Sequence, residues 1–123
     1  SGSIDCPGGV VVLRGEIWWA SLPVPRGSEP GYRRPVVIVQ SDAFNRSEIS
    51  TIVVAAISSN LRLAEAPGNI YLKRRDSKLP KDAVIDVSRL LTLDKRCLVE
   101  KVGQLSHKHL LEMDEGLKVT LSI

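Results

Sequence analysis

The amino-acid sequence predicts a mainly β protein of the α+β class, a small barrel-like sheet of antiparallel strands with a C-terminal helix. Two unbroken apolar runs, at residues 35–40 and 51–57, are typical of strands buried on both faces. The end of the chain instead repeats apolar residues at spacings of three and four, the period of an amphipathic helix. A chain of 123 residues can bury one ordinary core, so we predict one domain with six or seven strands.

The first strands surround the dipeptide Arg14-Gly15. Residues 10–13 form an apolar run and residues 16–21 alternate between two faces, so both segments are predicted as strands. Trp18 and Trp19 are adjacent and must point to opposite faces. One of them therefore belongs to the core and the other to a surface, an interface or a ligand groove, and the pattern does not decide which.

A long polar loop precedes the first central strand. Residues 22–34 show no periodic pattern, and a loop of this length in a small domain is usually functional or disordered. Pro35 lacks a backbone donor, so it fits the first position of a strand, and it restricts Arg34 to extended geometry. We therefore predict that Arg34 leaves the sheet in a defined direction.

The elements that follow are shorter. Ser41 or Asp42 can cap a single helical turn. After the strand at 51–57, the patterns predict a connector at 61–68, an exposed strand at 69–74, a basic turn at 73–78, one or two strands with a bend at 83–93, a capped turn at 94–98 and a last strand at 99–104.

The closing helix is predicted at about residues 107–120, where Ser106 can cap its first turn. Four residues form its apolar stripe, which we expect to pack on the sheet: Leu110, Met113, Leu117 and Leu121. His107 and His109 lie only two residues apart, so they point to different faces. We expect both to be solvated, and we expect no metal site and no cofactor.

Composition limits the class of protein. No apolar run approaches the roughly eighteen residues of a membrane span, so we expect a soluble protein without a membrane partner. No segment resembles a secretion signal, and we expect the protein in the cytoplasm. Residues 1–9 are expected to be a flexible tail that begins with an expression scar, and residues 10–123 the folded domain. Cys6 and Cys97 are too few and too far apart for a disulfide framework.

Charge is distributed unevenly along the chain. The net charge is +3, but residues 22–81 hold ten Lys and Arg residues against five acidic ones. This excess indicates a cationic face that could attract a polyanion. Ordinary solvated loop charges explain the excess equally well at this point.

The residue types present favour chemistry at a phosphodiester. The sequence has no Gly-rich phosphate loop, no HExxH motif and no CxxC pair. Arginine presents planar donors that match two phosphate oxygens, and RNA carries its own nucleophile in the 2′-hydroxyl. Structural roles remain open, because Arg34 can pair with Glu29 and Ser58 can simply close a strand end.

Five segments, in order, resemble the MazF/PemK family of endoribonuclease toxins from bacterial toxin–antitoxin pairs. They extend from Arg14 to Leu121 and are Arg14-Gly15-Glu16-Ile17-Trp18, Gly27-Ser28-Glu29 followed by Arg34-Pro35-Val36-Val37, Ala55-Ala56-Ile57-Ser58-Ser59-Asn60, Leu79-Pro80-Lys81-Asp82 with Val84, and Leu91-Thr92-Leu93-Asp94-Lys95. The resemblance implies an SH3-like barrel of the CcdB/PemK type, a homodimer and metal-independent cleavage of single-stranded RNA to a 2′,3′-cyclic phosphate and a 5′-hydroxyl. It also implies a cognate antitoxin, a disordered acidic peptide that covers a basic groove.

The resemblance also implies site residues. Arg34 matches the family's catalytic arginine, Ser58 stands where a catalytic threonine is usual, and Glu29 matches an assisting acidic residue. We expect RNA contacts from the surrounding polar residues Arg26, Arg33, Gln40, Ser59, Asn60 and Arg62. Two other functions stay open, a gyrase-inhibiting toxin of the CcdB type and a catalytically inactive module that only binds RNA or an antitoxin.

Overall fold

A single curled sheet organises the protein. The computed structural model describes residues 12–22 and 32–123, so the expected tail over 1–9 and most of the loop over 22–34 lie outside the described residues. Within the predicted first strand, the described residues 12 and 13 are not in strand conformation, although Val12 is buried.

Six strands form the sheet in the order β4-β5-β3-β2-β1-β6, and every neighbouring pair is antiparallel. The strands are β1 (Glu16–Leu22), β2 (Tyr32–Ile38), β3 (Thr51–Ser58), β4 (Ile70–Leu72), β5 (Ala83–Asp94) and β6 (Leu98–Gln104). The helices are α1 (Asp42–Asn45), α2 (Arg74–Ser77) and α3 (His107–Leu121), with 3₁₀ turns at Leu61–Glu65 and Lys95–Cys97. The predicted mainly β architecture with a C-terminal helix is confirmed.

Both faces of the central strands are buried. Residues such as Ile17, Val37 and Ile57 share one cluster with Met113 of α3. Their neighbours along the strands, among them Trp18 and Val36, form a second cluster. Alternation of side chains along a strand produces these two layers, and it explains why the apolar runs are unbroken rather than alternating.

β2 begins three residues earlier than predicted. Its first residues pair only with β1, in the register Leu22↔Tyr32 to Trp19↔Pro35. Pro35 is therefore inside the strand, not at its first position. The sequence signal failed because Arg33 and Arg34 carry no apolar pattern, whereas pairing with one neighbour is enough to hold them extended.

β5 is one strand with an irregularity at its middle. Its register with β3 jumps from Ala55↔Leu90 to Ala56↔Asp86, so residues 87–89 form a bulge. Such an insertion bends a strand and increases its twist. This bulge is the predicted bend, and it divides β5 into a part that also pairs with β4 and a part that continues along β3.

The C-terminal helix begins as predicted, because the Ser106 hydroxyl oxygen accepts a hydrogen bond from the His109 N–H. Met113 is fully buried, but Leu121 is 49% exposed, so the apolar stripe ends one turn earlier than expected. His107 is exposed, whereas His109 is only half-exposed, with Nδ1 lying 3.1 Å from the Ser106 hydroxyl. Among the described residues, no helix has the length and apolar character needed to cross a membrane.

The predicted helical turn at residues 42–45 is present, and Ser41 occupies its N-cap without a side-chain hydrogen bond. The basic turn predicted at 73–78 is the short helix α2, which ends at Lys78 in the left-handed region. The predicted capped turn is the 3₁₀ turn after Asp94, whose carboxylate accepts from the Arg96 N–H.

Candidate active site

The candidate site lies where β2 and β3 separate. Their last paired residues are Val36 and Ala56, and two further steps along the same register bring Arg34 opposite Ser58. Side chains two positions apart on a strand share a face, so Arg34 and Ser58 project on the same side as the Val36 and Ala56 pair. Both residues also line the same two cavities.

Pro35 explains why the strands separate here. The Ile38 carbonyl accepts from Gly15 on the β1 side, whereas the Val39 N–H donates to Val53 of β3. Because backbone groups alternate in direction along a strand, residue 35 faces β3. A proline there has no N–H to donate, so the ladder with β3 ends at Val36.

Two cavities open at this separation, and Arg34, Pro35, Ile57 and Ser58 line both of them. The first, here called the Trp19 cavity, measures about 270 Å³ and also includes Arg33 and the segment 79–83. The second, here called the Asp86 cavity, measures about 300 Å³. A cation and a hydroxyl thus stand at the junction of two adjoining depressions.

The hydroxyl of Ser58 is held in place by the backbone that follows it. Its oxygen accepts a hydrogen bond of 3.0 Å from the Asn60 N–H. The Asn60 side chain in turn caps the 3₁₀ turn by accepting from the Arg62 N–H at 3.2 Å. These bonds fix the direction of the Ser58 hydroxyl relative to β3, although the residue is half-exposed.

Arg33 occupies the opposite face of β2 from Arg34 and interacts with β1 and β6. Its guanidinium lies 5.7 Å from the centroid of the Trp19 ring and 3.3 Å from the Glu100 carboxylate. Trp18 is buried, so Trp19 is the tryptophan at the cavity wall. The sequence left open which tryptophan belongs to the core, and the structure shows that it is Trp18.

The Asp86 cavity contains a second cation, which the sequence did not single out. Asp86 is 4% exposed and accepts from the Ser88 N–H and hydroxyl, at 3.2 and 2.6 Å. Its other oxygen lies 3.3 Å from the Nε of Arg89, whose side chain is largely exposed. The bulge of β5 brings these residues into the cavity, and no local pattern in the sequence marks them.

Asp82 was part of the family resemblance but had no assigned role. It lines the Trp19 cavity, where its carboxylate accepts from the Tyr71 hydroxyl at 2.6 Å and from the Arg74 N–H at 2.8 Å. The bond from Tyr71, followed by that from Arg74, holds the pKa of Asp82 below its usual value. The same carboxylate raises the pKa of Tyr71.

The other predicted site residues, apart from Gln40, fall into two groups. Ser59, Asn60 and Arg62 are exposed beside Ser58, and Ser59 and Asn60 each line one of the two cavities. Glu29 and Arg26 lie outside the described residues.

Gln40 is placed differently from the expectation that it contacts RNA. It is buried beyond the opposite end of β2, where it donates to Asn45 and accepts from the Val53 N–H. Its amide therefore holds the chain reversal after β2 and is too enclosed to reach a ligand at Arg34.

The described residues contain no group of three or more His, Cys, Asp and Glu side chains that could hold a metal ion. What the site does present is a guanidinium, a hydroxyl and exposed cations around a cleft. Guanidinium and hydroxyl groups bind phosphate oxygens, so the arrangement suits a phosphodiester.

Similarity to known proteins covers nearly the whole chain. Residues 13–121 match the family described as PemK-like, MazF-like toxin of type II toxin–antitoxin system. Endoribonuclease MazF6 of Mycobacterium tuberculosis is 41% identical over 114 residues, which cover 93% of this chain and 100% of that protein. Endoribonuclease MazF of Staphylococcus epidermidis is 37% identical, with 92% of this chain and 93% of that protein covered.

Solved structures agree in fold. A MazE–MazF crystal structure from Deinococcus radiodurans superimposes with a TM-score of 0.75 at 20% identity, covering 93% of this chain and 98% of that one. A mycobacterial endoribonuclease in complex with its cognate antitoxin gives 0.73 at 20% identity, covering 91% and 96%. The family match and the identity to curated relatives decide the assignment: this chain belongs to the PemK-like, MazF-like toxins of type II toxin–antitoxin systems.

Proposed function

We propose that this protein is an endoribonuclease toxin that cleaves single-stranded RNA without a metal ion, with Arg34 and Ser58 as its catalytic residues. The observation that carries the proposal is their opposed placement at the separated ends of β2 and β3. Membership of the toxin family, with relatives named endoribonuclease MazF, supports the reaction class.

The proposed reaction uses the substrate's own nucleophile. The 2′-oxygen attacks the adjacent phosphorus, the bond from phosphorus to O2′ forms, and the bond from phosphorus to O5′ breaks. The 2′-hydroxyl gives its proton to water or to the assisting carboxylate proposed at Glu29. The departing O5′ takes a proton from Arg34, which regains one from solvent, and the products are a 2′,3′-cyclic phosphate and a 5′-hydroxyl. The reaction needs no reductant and no nucleophile from the protein.

Arg34 is suited to stabilise charge in this reaction. Negative charge grows on the non-bridging oxygens as the 2′-oxygen attacks, and a guanidinium can donate to two of them. A guanidinium is always protonated in proteins and is therefore a poor base, so we assign Arg34 to charge stabilisation and to protonation of O5′. Glu29 remains the proposed assisting carboxylate.

Ser58 would hydrogen-bond the scissile phosphate or orient the 2′-hydroxyl. The bond that it accepts from the Asn60 N–H fixes the oxygen and directs the hydroxyl proton away from the backbone. Arg89, in the same cavity as Arg34, would bind a neighbouring phosphate. Ser59, Asn60, Arg62 and Arg33 would add contacts to the RNA around the cut.

The proposed partners follow the family. Solved relatives include a toxin with its cognate antitoxin and a MazE–MazF complex. We propose that an acidic antitoxin peptide binds the cationic surface of this protein, that the protein acts as a homodimer, and that it works in the cytoplasm on RNA.

A defined RNA of several hundred nucleotides, incubated with the purified protein and EDTA, tests the function. We expect discrete fragments that end in a 2′,3′-cyclic phosphate, and no cut where the nucleotide 5′ of the scissile bond is 2′-deoxy. Cleavage of that deoxy substrate, or dependence on added Mg²⁺, would contradict the mechanism. RNA that is shifted but uncut would indicate a binding module, and inhibition of DNA gyrase without RNA cleavage a toxin of the CcdB type.

A further inference from the structure

The candidate active site continues into two further depressions on the side of β4. Asp82 lines both the Trp19 cavity and a depression of about 350 Å³ formed with Lys73, Arg74 and Arg75. Lys73 and Arg75 also line a groove of about 890 Å³, which Tyr71 shares with the outer face of α3. Shared walls make the three depressions contiguous.

The register of the sheet shows how short this continuation is. Ser58 pairs with Val84 on β5, and Val84 pairs with Tyr71 on β4. Two strand spacings, roughly 10 Å, therefore separate the backbones of Ser58 and Tyr71. A strand of RNA that is cut at Ser58 has flanking nucleotides within reach of this surface.

The chemistry along the path matches a single-stranded nucleic acid. Tyr71 is 40% exposed. Four exposed cations lie along the same path: Lys73, Arg74, Arg75 and Lys81. Single-stranded nucleic acids are bound by cations that follow the backbone and by aromatic rings on which bases stack. Trp19 and Arg33 offer the same combination at the other end of the path.

Asp82 connects the two parts of this surface, β4 and α2. One of its oxygens accepts from the Tyr71 hydroxyl and the other from the first N–H of α2, at Arg74. α2 is also seated closely on β6, since a Cβ on Gly103 would lie only 3.0 Å from the Ser77 carbonyl oxygen. The basic helix is thus bonded to the cavity wall through Asp82 and packs against β6.

We propose that RNA leaving the cleavage pocket is bound along this surface, called here the flanking track and formed by Lys81, Tyr71, Lys73, Arg74 and Arg75, with Asp82 as its positioning residue. The proposal rests on the proposed function, because it requires RNA as the ligand. It predicts that substrates extended beyond the cut bind more tightly than a minimal substrate.

Three synthetic RNAs test the track once the cut site has been mapped. A minimal oligonucleotide spans the cut, and two others extend it on the 5′ or the 3′ side, all 2′-deoxy at the reacting position so that they bind without being cut. We expect one extension to raise the affinity of the wild-type protein in fluorescence anisotropy. In the double variant K73A/R75A, the gain in affinity from the extension should be about tenfold smaller. The dependence of affinity on salt should also weaken, with the log–log slope about 1.4 shallower.

Matched controls separate the track from general charge. R96A/K118A removes two exposed cations that do not line these depressions and should keep the gain. Y71A should lose about tenfold, whereas Y71F keeps the ring and should retain most of the affinity. Cleavage of the minimal RNA with a 2′-hydroxyl should be unchanged in K73A/R75A.

The possible failures are distinguishable. If the wild-type protein cleaves RNA but neither extension raises affinity, or K73A/R75A keeps the gain, the track is refuted while the nuclease stands. If K73A/R75A weakens only the binding of an acidic peptide such as polyglutamate, the surface belongs to a protein partner and the RNA proposal is wrong. If the wild-type protein cleaves no RNA, the proposed function itself fails.

Discussion

Arg34 and Ser58 line the same two cavities from two antiparallel strands, each two residues beyond the point where those strands stop pairing at Val36 and Ala56. β1 still holds the Arg34 side of this junction, through Ala20↔Arg34, and β5 still holds the Ser58 side, through Ser58↔Val84. Each side chain is therefore mounted on a paired strand while the space between them is open. Groups fixed in this way lose little freedom when a phosphate enters, which favours catalysis.

Replacement of Arg34 tests this arrangement most directly. We expect R34A to lower the rate of RNA cleavage at saturating RNA by about 10²–10³, the usual loss for one donor to developing charge. R34K should restore little, because an ammonium cannot donate to two phosphate oxygens at once. Single-turnover cleavage measures the rate, and circular dichroism checks the fold.

Arg33 is the matched control for Arg34, since it is adjacent on the same strand but contacts Trp19 and Glu100. R33A should weaken RNA binding and make that binding less dependent on salt. Its cleavage rate at saturating RNA should stay within a few-fold of the wild-type rate. Equal losses of rate in R33A and R34A would refute the assignment of the catalytic cation.

Ser58 carries the second prediction. S58A should slow cleavage by about a hundredfold without altering stability much, because the side chain is half-exposed and its removal leaves the Asn60 N–H near solvent. S58T introduces the threonine that the family resemblance leads us to expect at this position, and its extra methyl restricts the rotamer of the hydroxyl. We expect S58T to cleave at least as fast as the wild type, and a large loss in S58T would show that this pocket is built for serine.

The central strands and the closing helix could be predicted because their signals are local. Burial on both faces leaves unbroken apolar runs at β2 and β3, and Ser106 together with the spacing of Leu110, Met113 and Leu117 marks α3. The start of β2 could not be predicted in this way, because pairing with β1 alone holds Arg33 and Arg34 extended.

Only part of the candidate site could be predicted, because pairing between distant segments decides which of its residues come together. The family resemblance pointed to Arg34 and Ser58 as candidate site residues, and their placement at the same two cavities follows from the pairing of β2 and β3. Asp86 and Arg89 reach the cavity only because β5 bulges, which is a property of pairing between distant segments. Gln40 has a polar side chain and follows the same strand, but its enclosure by Asn45 and Val53 is a tertiary effect.

The contact between α3 and the turn before β4 carries the third prediction. Gly116 is buried, and a Cβ added to it would overlap with the Gly68 carbonyl oxygen. Alanine normally stabilises a helix relative to glycine by about 1 kcal/mol, but here the backbone would have to move. We expect G116A to lower the free energy of unfolding by about 1–3 kcal/mol, measured by urea denaturation.

E112A is the matched control for G116A, because Glu112 is exposed on the same helix. It should change the free energy of unfolding by less than about 0.5 kcal/mol. A stabilised G116A protein would show that the helix does not approach Gly68 so closely.

Acid stability gives the fourth prediction, through Asp42. Its carboxylate accepts from the Arg14 N–H at 2.7 Å and from the Asn45 amide at 3.0 Å, and the first of these bonds is the main cause of its lowered pKa. A carboxylate whose folded-state pKa is lowered stabilises the protein above its ordinary value of 3.8, and this stabilisation is lost as pH falls through the lower folded-state pKa. D42N removes the charge, so it should lower stability at pH 7 by under about 1 kcal/mol, since the site is partly open to solvent. Because asparagine does not titrate, the difference between wild type and D42N, measured by urea denaturation from pH 7 to 3, should shrink as the pH falls. A difference that stays constant over this range would mean that Asp42 contributes only through its shape and not through its charge.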